Sequence, residues 1–483
     1  MTGFAKNTLW SMVGIAGVQL INIICNIFLA RMLYPEIFGL LGMALAFYGL
    51  ILVFQEAGMS SYLIYEKNLK NETVSTSFWL NVICSILLVI LIILAAPYIG
   101  SFYGEPQVTL ILYIMSIGML FSGISITARA LLIKKREFNT LAKIDLVSEL
   151  ISSIVAVSLA FLDYSLLAIS CRLFIKPLIS TILLLMIERV NIKYGIKLKY
   201  VKSIVPYSSK FLGSQLFIYL NNNIDYLIIG KLMGSAKLGF YTTAYQWSVM
   251  PRFYIAGAVN KVFFPEVTKI KEDLGQLAKL YLQVIDKVSF FTLPACIGLI
   301  LISKEFIFIL YGPKWLNTVP ILEILLVAGA ITSISSLGGS IINGLGRPEI
   351  EMRLNIFSFI TVTIFIVIAS FISLKVVVFA ILFKTILFDW WKTSIVCSLL
   401  KLKMTKIIRT LLPNILSTLL MYSLGWIFKY ALYRYMSELW LMVSTIVVCI
   451  SIYTFFTYLL NRRMFKDIIS PIILLMKKRF VTL

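Results

Sequence analysis

Long apolar runs, separated by short polar segments, repeat along the whole chain. Two of these runs, residues 82–100 and 356–374, contain no charged residue. An α-helix needs about 20 apolar residues to cross a bilayer. The pattern predicts about 14 membrane-spanning helices, although single polar residues interrupt some runs and twelve or thirteen also fit; they lie near 8–30, 37–64, 77–100, 107–132, 142–162, 164–187, 207–230, 238–263, 282–303, 318–343, 352–373, 376–399, 406–429 and 438–460.

The composition agrees with this pattern. Of the 483 residues, 60% are hydrophobic and 14% are charged, and the mean hydropathy is +0.94. A typical soluble domain has about 25% charged residues. The first apolar run, from about Leu9 to Ala30, is longer than the core of a signal peptide and is not followed by a small-residue cleavage site. We therefore expect an all-α polytopic membrane protein that retains its first span.

The formal net charge of +22 is explained by basic residues in the cytoplasmic loops of a membrane protein. With the N-terminus inside, most lysines and arginines fall in the inner segments, as the positive-inside rule requires. No basic patch with interleaved aromatic residues stands outside the apolar runs, so we expect no nucleic-acid partner. Both termini are predicted to be cytoplasmic.

The sequence lacks the commonest catalytic acid–base residue and metal ligand, which is histidine. The six cysteines are scattered singly. No glycine-rich Walker-type loop followed by Lys-Ser/Thr occurs, which excludes a built-in ATPase, and the loops are too short for a soluble catalytic domain. We expect no catalytic residue, no metal site and no cofactor, with H⁺ or Na⁺ as a candidate coupling ion. A transporter is the simplest interpretation; a membrane glycosyltransferase or polymerase would need a catalytic loop.

Two short stretches, "LARMLYPEIFG" at 29–39 and "IGKLMGSAKLG" at 229–239, share their polar and glycine positions at an offset of 200 residues. The offset pairs Asn22 with Asn222, Arg31 with Lys231 and Gly39 with Gly239. This predicts two parallel copies of six helices, with a substrate site between them near the midplane. The predicted division is a six-helix lobe at 1–187, a basic interfacial linker at 188–206, a second six-helix lobe at 207–400, and two further helices with a basic cytoplasmic tail at 401–483.

Polar side chains inside the predicted spans are the candidate site residues, because polar groups at membrane depth usually face a cavity or another helix. Several lie three or four positions apart and so share one helix face. The candidates for the substrate cavity are Asn22, Asn26, Arg172, Lys176, Gln215, Asn222, Asp225 and Arg252. The candidates for gating or ion coupling are Arg31, Glu56, Asp145, Glu149 and Lys231. We expect Asp145, Glu149 and Asp225 to pair with the cations or to carry protons.

Six ordered motifs give the chain a family resemblance. They are "LARMLYPEIFG" (29–39), "FQEAGMSSYLI" (54–64), "FYGEPQV" (102–108), "FFPEVTKIKED" (263–273), "LYGPKWLNTVPIL" (310–322) and "NGLGRPE" (343–349). With the hydropathy pattern they resemble the bacterial polysaccharide and O-antigen flippases of the multidrug/oligosaccharidyl-lipid/polysaccharide (MOP) exporter superfamily. The resemblance covers roughly residues 1–400.

This resemblance implies a fold of two lobes around a cationic central cavity that opens by alternating access. It implies a flippase in the bacterial cytoplasmic (inner) membrane that moves undecaprenyl-pyrophosphate-linked oligosaccharide repeat units to the periplasmic leaflet. The glycan would be an O-antigen or an exopolysaccharide, and a polysaccharide polymerase and glycosyltransferases are candidate partners. By motif, Arg31, Glu36, Gly39 and Glu56 look structural or gating; the second copy departs from the pattern, with Lys231 for arginine and Ala236 for glutamate.

Two other functions in the same superfamily stay open. A cation-coupled multidrug exporter would favour an acidic cavity, which Arg172 and Arg252 argue against. A lipid II flippase is closer in chemistry, and the viability of a deletion strain would separate the two.

Overall fold

The described part of the chain is almost entirely helical and contains no β-strand. The computed structural model describes residues 3–55, 62–64, 66, 69–190, 192–462 and 464–465, and no side chain is described at 3–9, 202–215, 217 and 218. The chain forms two compact units, residues 1–242 and 243–483. The boundaries of the predicted lobes, 1–187 and 207–400, rest on hydropathy and on the 200-residue offset. They stay predictions.

The described part of unit 1 contains seven long helices and the start of an eighth. These are α1 (Gly3–Met32), α2 (Pro35–Gln55), α3 (Asn71–Tyr103), α4 (Pro106–Lys134), α5 (Phe138–Phe161), α6 (Ser165–Ile187), α7 (Leu198–Met233) and α8 (Ser235–Pro251). Within this unit α5 packs against α1 and α6, and α4 packs against α3 and α6. The predicted gating residue Glu56 lies outside the described residues.

Unit 2 begins within α8 and continues with a short π-helix at Arg252–Ala256. Its further helices are α9 (Gly257–Ile270), α10 (Leu274–Leu301), α11 (Ser303–Tyr311), a 3₁₀ helix (Pro313–Thr318), α12 (Val319–Gly344), α13 (Pro348–Ser370), α14 (Leu374–Leu399), α15 (Met404–Leu432) and α16 (Glu438–Leu460). Helix α12 packs on α10 and α14, while α15 packs on α10 and α16.

Eleven of the described helical segments are long and apolar enough to cross a membrane. The protein is therefore a multi-pass membrane protein with an all-α fold. Three predicted spans correspond to helices that are not among these eleven. They are 207–230 on α7, 238–263 on α8 to α9, and 376–399 on α14. Each of these helices carries several polar or charged residues, which lowers its hydropathy. The count of 14 spans stays a prediction.

Helix ends follow the residues that stop or start a helix locally. Gly104 ends α3 with φ of 75°, in the left-handed region that glycine enters without a steric cost. Pro106 then starts α4, where a missing N–H removes no hydrogen bond. In unit 2 the Asp273 side chain accepts a hydrogen bond from the Gln276 N–H at 2.9 Å and so caps the start of α10.

Gly39 and Gly239, which the 200-residue offset pairs, make a reciprocal contact. A methyl group on Gly39 would overlap the carbonyl oxygen of Ser235, and one on Gly239 would overlap that of Pro35. Pro35 and Ser235 are themselves related by the same offset. Only glycine therefore permits the close approach of α2 and α8 at this point. The reciprocity fits the predicted duplication, which is not otherwise tested.

The segment before α7 is held against the first turns of α3. The Ser75 hydroxyl donates to the Gly195 carbonyl at 3.3 Å, and the Trp79 indole N–H donates to the Ile192 carbonyl at 3.3 Å. The Lys197 N–H donates to the Thr76 hydroxyl at 3.1 Å. These bonds satisfy backbone groups in a stretch too polar to span the membrane. The last part of the predicted linker, from Leu198 onward, is the first part of α7.

Candidate functional site

Polar side chains on four helices of unit 1 form two hydrogen-bonded groups, which follow one another along α5 and α6 at steps of four residues. Together we call them the polar ladder, and its members are Asn22 and Asn26 on α1, Arg129 on α4, Asp145 and Glu149 on α5, and Arg172, Lys176 and Ser180 on α6. On α5 the two acids are four residues apart, and on α6 the three polar residues follow at steps of four. Such spacing places each set along one helix face.

The first step of the ladder joins α4, α5 and α6. Arg129 holds Asp145 with both terminal nitrogens, and the Nη1–Oδ2 distance is 3.2 Å. Its Nη2 also donates to the Ser180 hydroxyl at 3.3 Å. A two-pronged arginine–carboxylate pair fixes geometry as well as charge. Because both side chains are about one third exposed, this step is accessible.

The second step lies deeper and centres on Glu149. This residue is eleven positions after the start of α5 and twelve before its end, about 17 Å from each at 1.5 Å per residue. Arg172 contacts one carboxylate oxygen, and the Lys176 ammonium lies 2.6 Å from the other. Two cations on one carboxylate leave this step with a net positive charge.

Helix α1 supplies amide groups to the same step. The Arg172 Nη1 donates to the Asn26 side-chain oxygen at 2.9 Å. The Asn26 amide nitrogen donates in turn to the Asn22 side-chain oxygen at 2.9 Å. The face of α1 that carries Asn22 and Asn26 thus contacts Arg172 on α6. The guanidinium is oriented from two sides, by Glu149 and by Asn26.

Exposure divides the cations of the ladder into two kinds. The side chains of Arg172 and Glu149 are 12% and 1% exposed, whereas Lys176 is 41% exposed. Arg129, Arg172 and Lys176 outnumber Asp145 and Glu149, so the ladder carries one excess positive charge. Buried charges in a membrane need partners. The accessible cations can therefore meet an anionic group while the buried pair holds the helices in register.

The other candidate residues of unit 1 lie apart from the ladder. Asp225 on α7 is buried and accepts a hydrogen bond from the Tyr241 hydroxyl of α8. The Tyr241 hydroxyl is thus one partner of this carboxylate, and the predicted role of Asp225 stays a prediction. Asn222 is exposed on α7, and the side chain of Gln215 lies outside the described part.

The two basic residues of the repeated motif are both exposed, at the ends of their helices. Arg31 lies in the last turn of α1 and Lys231 in the last turn of α7. The Lys231 ammonium donates to the Phe102 carbonyl and lies 4.9 Å from the centre of the Phe102 ring. Its contact is thus with the end of α3. The roles predicted for Arg31 and Lys231 in gating stay predictions.

Arg252, the remaining cavity candidate, belongs to unit 2. It begins the π-helix Arg252–Ala256, which follows Pro251 and ends where the Gly257 N–H donates to the Arg252 carbonyl. Proline lacks an N–H and disturbs the α-helical pattern around it. Single π turns within α-helices are frequent at functional sites. Arg252 is half-buried, and its predicted role in the cavity stays a prediction.

Unit 2 has a separate charged contact on α12, α13 and α14. The Lys392 ammonium lies 2.7 Å from a Glu351 carboxylate oxygen. The Thr332 hydroxyl donates to Asp389 at 3.2 Å. Unlike the ladder, the contacts of these four residues include no arginine.

Sequence reasoning missed Arg129, which the structure shows to be the partner of Asp145. The available signal was a single arginine inside an apolar run, "ISITARALLIK", near the end of the fourth predicted span. Its partner lies on another helix, and a one-dimensional pattern cannot show which helices pack together. The pairing expected between Asp145 and Arg172 or Arg252 is wrong for this reason, while that between Glu149 and Arg172 is confirmed.

Comparison with known proteins finds relatives in sequence and a solved structure with the same fold. An uncharacterized membrane protein in the cps region of Klebsiella pneumoniae is 25% identical over 76% of this chain and 76% of its own length. The lipopolysaccharide biosynthesis protein WzxC of Escherichia coli K12 is 25% identical over 72% of this chain and 71% of its own length. Lipid II flippase MurJ, in an inward closed conformation, has the same fold with a TM-score of 0.72 at 17% identity, covering 94% of this chain and 99% of its own.

A family model supplies the assignment. The model described as polysaccharide biosynthesis protein matches residues 28–320, more than half of the chain, and this range includes the whole ladder except Asn22 and Asn26. The resemblance seen in the ordered motifs is thus confirmed by the family model, by the named relatives and by the fold. The chain belongs to the polysaccharide biosynthesis protein family, within the fold shared by MOP-superfamily exporters.

Proposed function

We propose that the protein is a flippase for undecaprenyl-pyrophosphate-linked oligosaccharide repeat units. In this proposal it moves an O-antigen or exopolysaccharide precursor from the cytoplasmic to the periplasmic leaflet by alternating access through a cationic central cavity. It resides in the bacterial cytoplasmic membrane with both termini in the cytoplasm. It is a transport protein and not an enzyme, and a gradient of H⁺ or Na⁺ drives it.

The observation that carries the proposal is the polar ladder with its excess positive charge in the middle of unit 1. A pyrophosphate with sugars attached cannot cross hydrocarbon unaided, because charged and hydrogen-bonding groups lose their water there. Cations with accessible ammonium and guanidinium groups replace part of that hydration with charge-assisted hydrogen bonds. The lipid tail can stay in the bilayer throughout.

The same charge argues against a multidrug exporter for cationic compounds. Such a substrate would meet three cations and two carboxylates that are already paired with them. Like charges in a site of low dielectric constant repel strongly. One relative, WzxC of Escherichia coli K12, is also named for the biosynthesis of lipopolysaccharide, a cell-surface glycolipid. A polyprenyl-linked glycan is therefore the better candidate substrate.

Deletion of the gene in its host tests this function. We expect undecaprenyl-linked repeat units to accumulate on the cytoplasmic side and the surface glycan to be lost, because assembly beyond the membrane would lack its precursor. Extraction of lipid-linked oligosaccharides and staining of surface glycan measure the two effects. Expression of the wild-type gene in the deletion strain should restore the surface glycan.

Three outcomes of that experiment separate the alternatives. Normal surface glycan in the deletion strain contradicts the proposal. Loss of viability in a strain that cannot begin glycan synthesis points to lipid II as the substrate. A changed susceptibility to cationic drugs, with normal surface glycan, favours a multidrug exporter.

A further inference from the structure

A short basic segment of unit 1 runs from the end of α6 into the first turn of α7. We call it the basic strap and define it as residues 189–199, with the sequence "RVNIKYGIKLK". It contains four basic residues, Arg189, Lys193, Lys197 and Lys199, and no acidic residue. The strap is not part of the polar ladder, and the transport proposed above gives it no role.

Contacts with α3 fix the position of the strap. Three hydrogen bonds between the two segments are described above, and two further contacts involve Glu72 in the first turn of α3. The Lys197 ammonium lies 3.5 Å from one Glu72 carboxylate oxygen. The hydroxyl of Tyr200, just after the strap, donates to the other at 2.9 Å. The strap is therefore tied to α3 at several points along its length.

These contacts place the strap at the edge of the hydrocarbon layer. They involve the first three turns of α3, and the last of them, from Trp79, lies three residues before the charge-free run 82–100. Three residues of helix measure about 4.5 Å. Tryptophan is enriched where membrane helices pass the headgroups. The strap therefore lies at the depth of the lipid headgroups.

Apolar side chains of the strap are exposed between its basic residues. Ile192, Tyr194 and Ile196 are 43%, 44% and 44% exposed, and Leu198 is 77% exposed. The positive-inside rule accounts for lysines and arginines in such a segment, but not for large apolar side chains that the protein leaves uncovered. Apolar surface in contact with water is unfavourable. A partner of the strap must therefore offer apolar contact as well as negative charge.

The strap also carries an excess of positive charge. Glu72 offsets one of its four basic groups, which leaves three. Glu188, the acidic residue next to the strap in the chain, pairs with Lys135 instead. Arg189 and Lys199 are both exposed. Anionic lipids combine the two properties that the strap requires, since their charged headgroups lie directly above acyl chains.

We propose that the basic strap binds anionic phospholipids of the leaflet in which it lies. The lipid phosphates meet Arg189, Lys193 and Lys199, and the side chains of Ile196 and Leu198 enter the upper part of the acyl chains. In the topology proposed above this is the cytoplasmic leaflet. Because the strap is tied to α3 and continues into α7, the bound lipid fastens these two helices at the membrane surface.

Lipid titration of the purified protein in neutral maltoside micelles tests this proposal. We expect phosphatidylglycerol to raise the Tm saturably, since a ligand of the folded state stabilises it. Its half-maximal concentration should be about ten- to a hundredfold lower than that of phosphatidylcholine, because several basic groups act together on an anionic lipid. The strap variant Arg189→Gln with Lys193→Gln and Lys199→Gln should lose most of this difference.

A second variant tests the apolar part of the strap. Ile196→Ser with Leu198→Ser should raise the half-maximal concentrations of both lipids several-fold, because acyl chains are common to the two lipids and the charge of the strap is unchanged. Wild-type concentrations for both lipids in this variant would overturn the proposal.

The triple variant Lys269→Gln, Lys271→Gln and Lys279→Gln is the matched control for charge. These lysines of unit 2 are exposed, and Glu272 and Asp273 lie among them in the chain. The control loses the same three charges as the strap variant, so any unspecific effect of net charge is equal in the two. It should keep the wild-type preference for phosphatidylglycerol.

Equal half-maximal concentrations of the two lipids for the wild type would overturn the proposal, as would an unchanged preference in the strap variant. A soluble polyglutamate that raises the Tm as phosphatidylglycerol does would also overturn it, and would point to an acidic protein partner. If the strap variant does not fold, salt decides: a wild-type preference that is the same at about 0.1 M and about 1 M NaCl would contradict binding through charge. The readout needs no glycolipid and is independent of the flippase function.

Discussion

Replacing Arg172 with glutamine should slow translocation of a lipid-linked oligosaccharide by about ten- to a hundredfold, equivalent to about 1.4–2.7 kcal/mol, because it removes the excess positive charge of the ladder. Arg172 lies next to the deepest carboxylate of the ladder and is held by Asn26 on its other side. Without the guanidinium, the excess positive charge of the ladder falls from one to zero. The electrostatic attraction that offsets the dehydration of the pyrophosphate in the middle of unit 1 is then weaker.

The measurement is surface glycan per copy of membrane-inserted protein in the deletion strain. Arg409→Gln is the matched control, because Arg409 is exposed on α15 and its replacement changes the net charge equally. Arg172→Lys should keep part of the activity, since it preserves charge but not the planar contact with Asn26. Wild-type glycan levels in the Arg172→Gln strain would show that the polar ladder takes no part in transport.

Replacing Glu149 with glutamine should lower the free energy of unfolding by about 3–5 kcal/mol, the usual cost of removing one partner from a buried ion pair. The Glu149 side chain is 1% exposed and contacts both Arg172 and Lys176. After the replacement the buried Arg172 and the partly exposed Lys176 are left without their counter-charge. Denaturant titration in mixed micelles measures the effect.

Glu188→Gln serves as the comparison for this stability change. Glu188 follows the end of α6 and pairs at 2.5 Å with Lys135, which is 53% exposed. A pair in contact with water contributes about 0–1 kcal/mol. The double variant Glu149→Gln with Arg172→Gln should recover part of the loss, since one unpaired cation is then removed. A loss in Glu149→Gln no larger than in Glu188→Gln would contradict the buried pairing.

The helices of unit 1 could largely be predicted from hydropathy. The predicted spans 77–100 and 107–132 lie inside α3 and α4, and the span 164–187 matches α6 to within one residue. Apolar length dominates the choice of helix in a membrane, because backbone groups there must bond within their own segment. The π-helix at Arg252 could not be predicted, since it depends on how the chain accommodates Pro251.

The candidate site was predictable only within single helices. Spacing alone put Asp145 with Glu149 and Arg172 with Lys176 on common faces, and the structure keeps these faces in the ladder. Which helices meet is a property of packing, so Arg129 as the partner of Asp145 and Tyr241 as the partner of Asp225 could not be read from the sequence. The glycines at 39 and 239 were recognised as a repeat, while their contact with backbone required coordinates.

Reconstitution of the purified protein in liposomes tests the central claim most directly. A short undecaprenyl-pyrophosphate-linked oligosaccharide is placed in one leaflet, and its arrival in the other is followed with a glycan-cleaving enzyme added outside. The account predicts translocation that depends on the wild-type protein and falls about tenfold or more with Arg172→Gln. Glycolipid movement no faster than in protein-free liposomes, from protein shown to be folded, would contradict it.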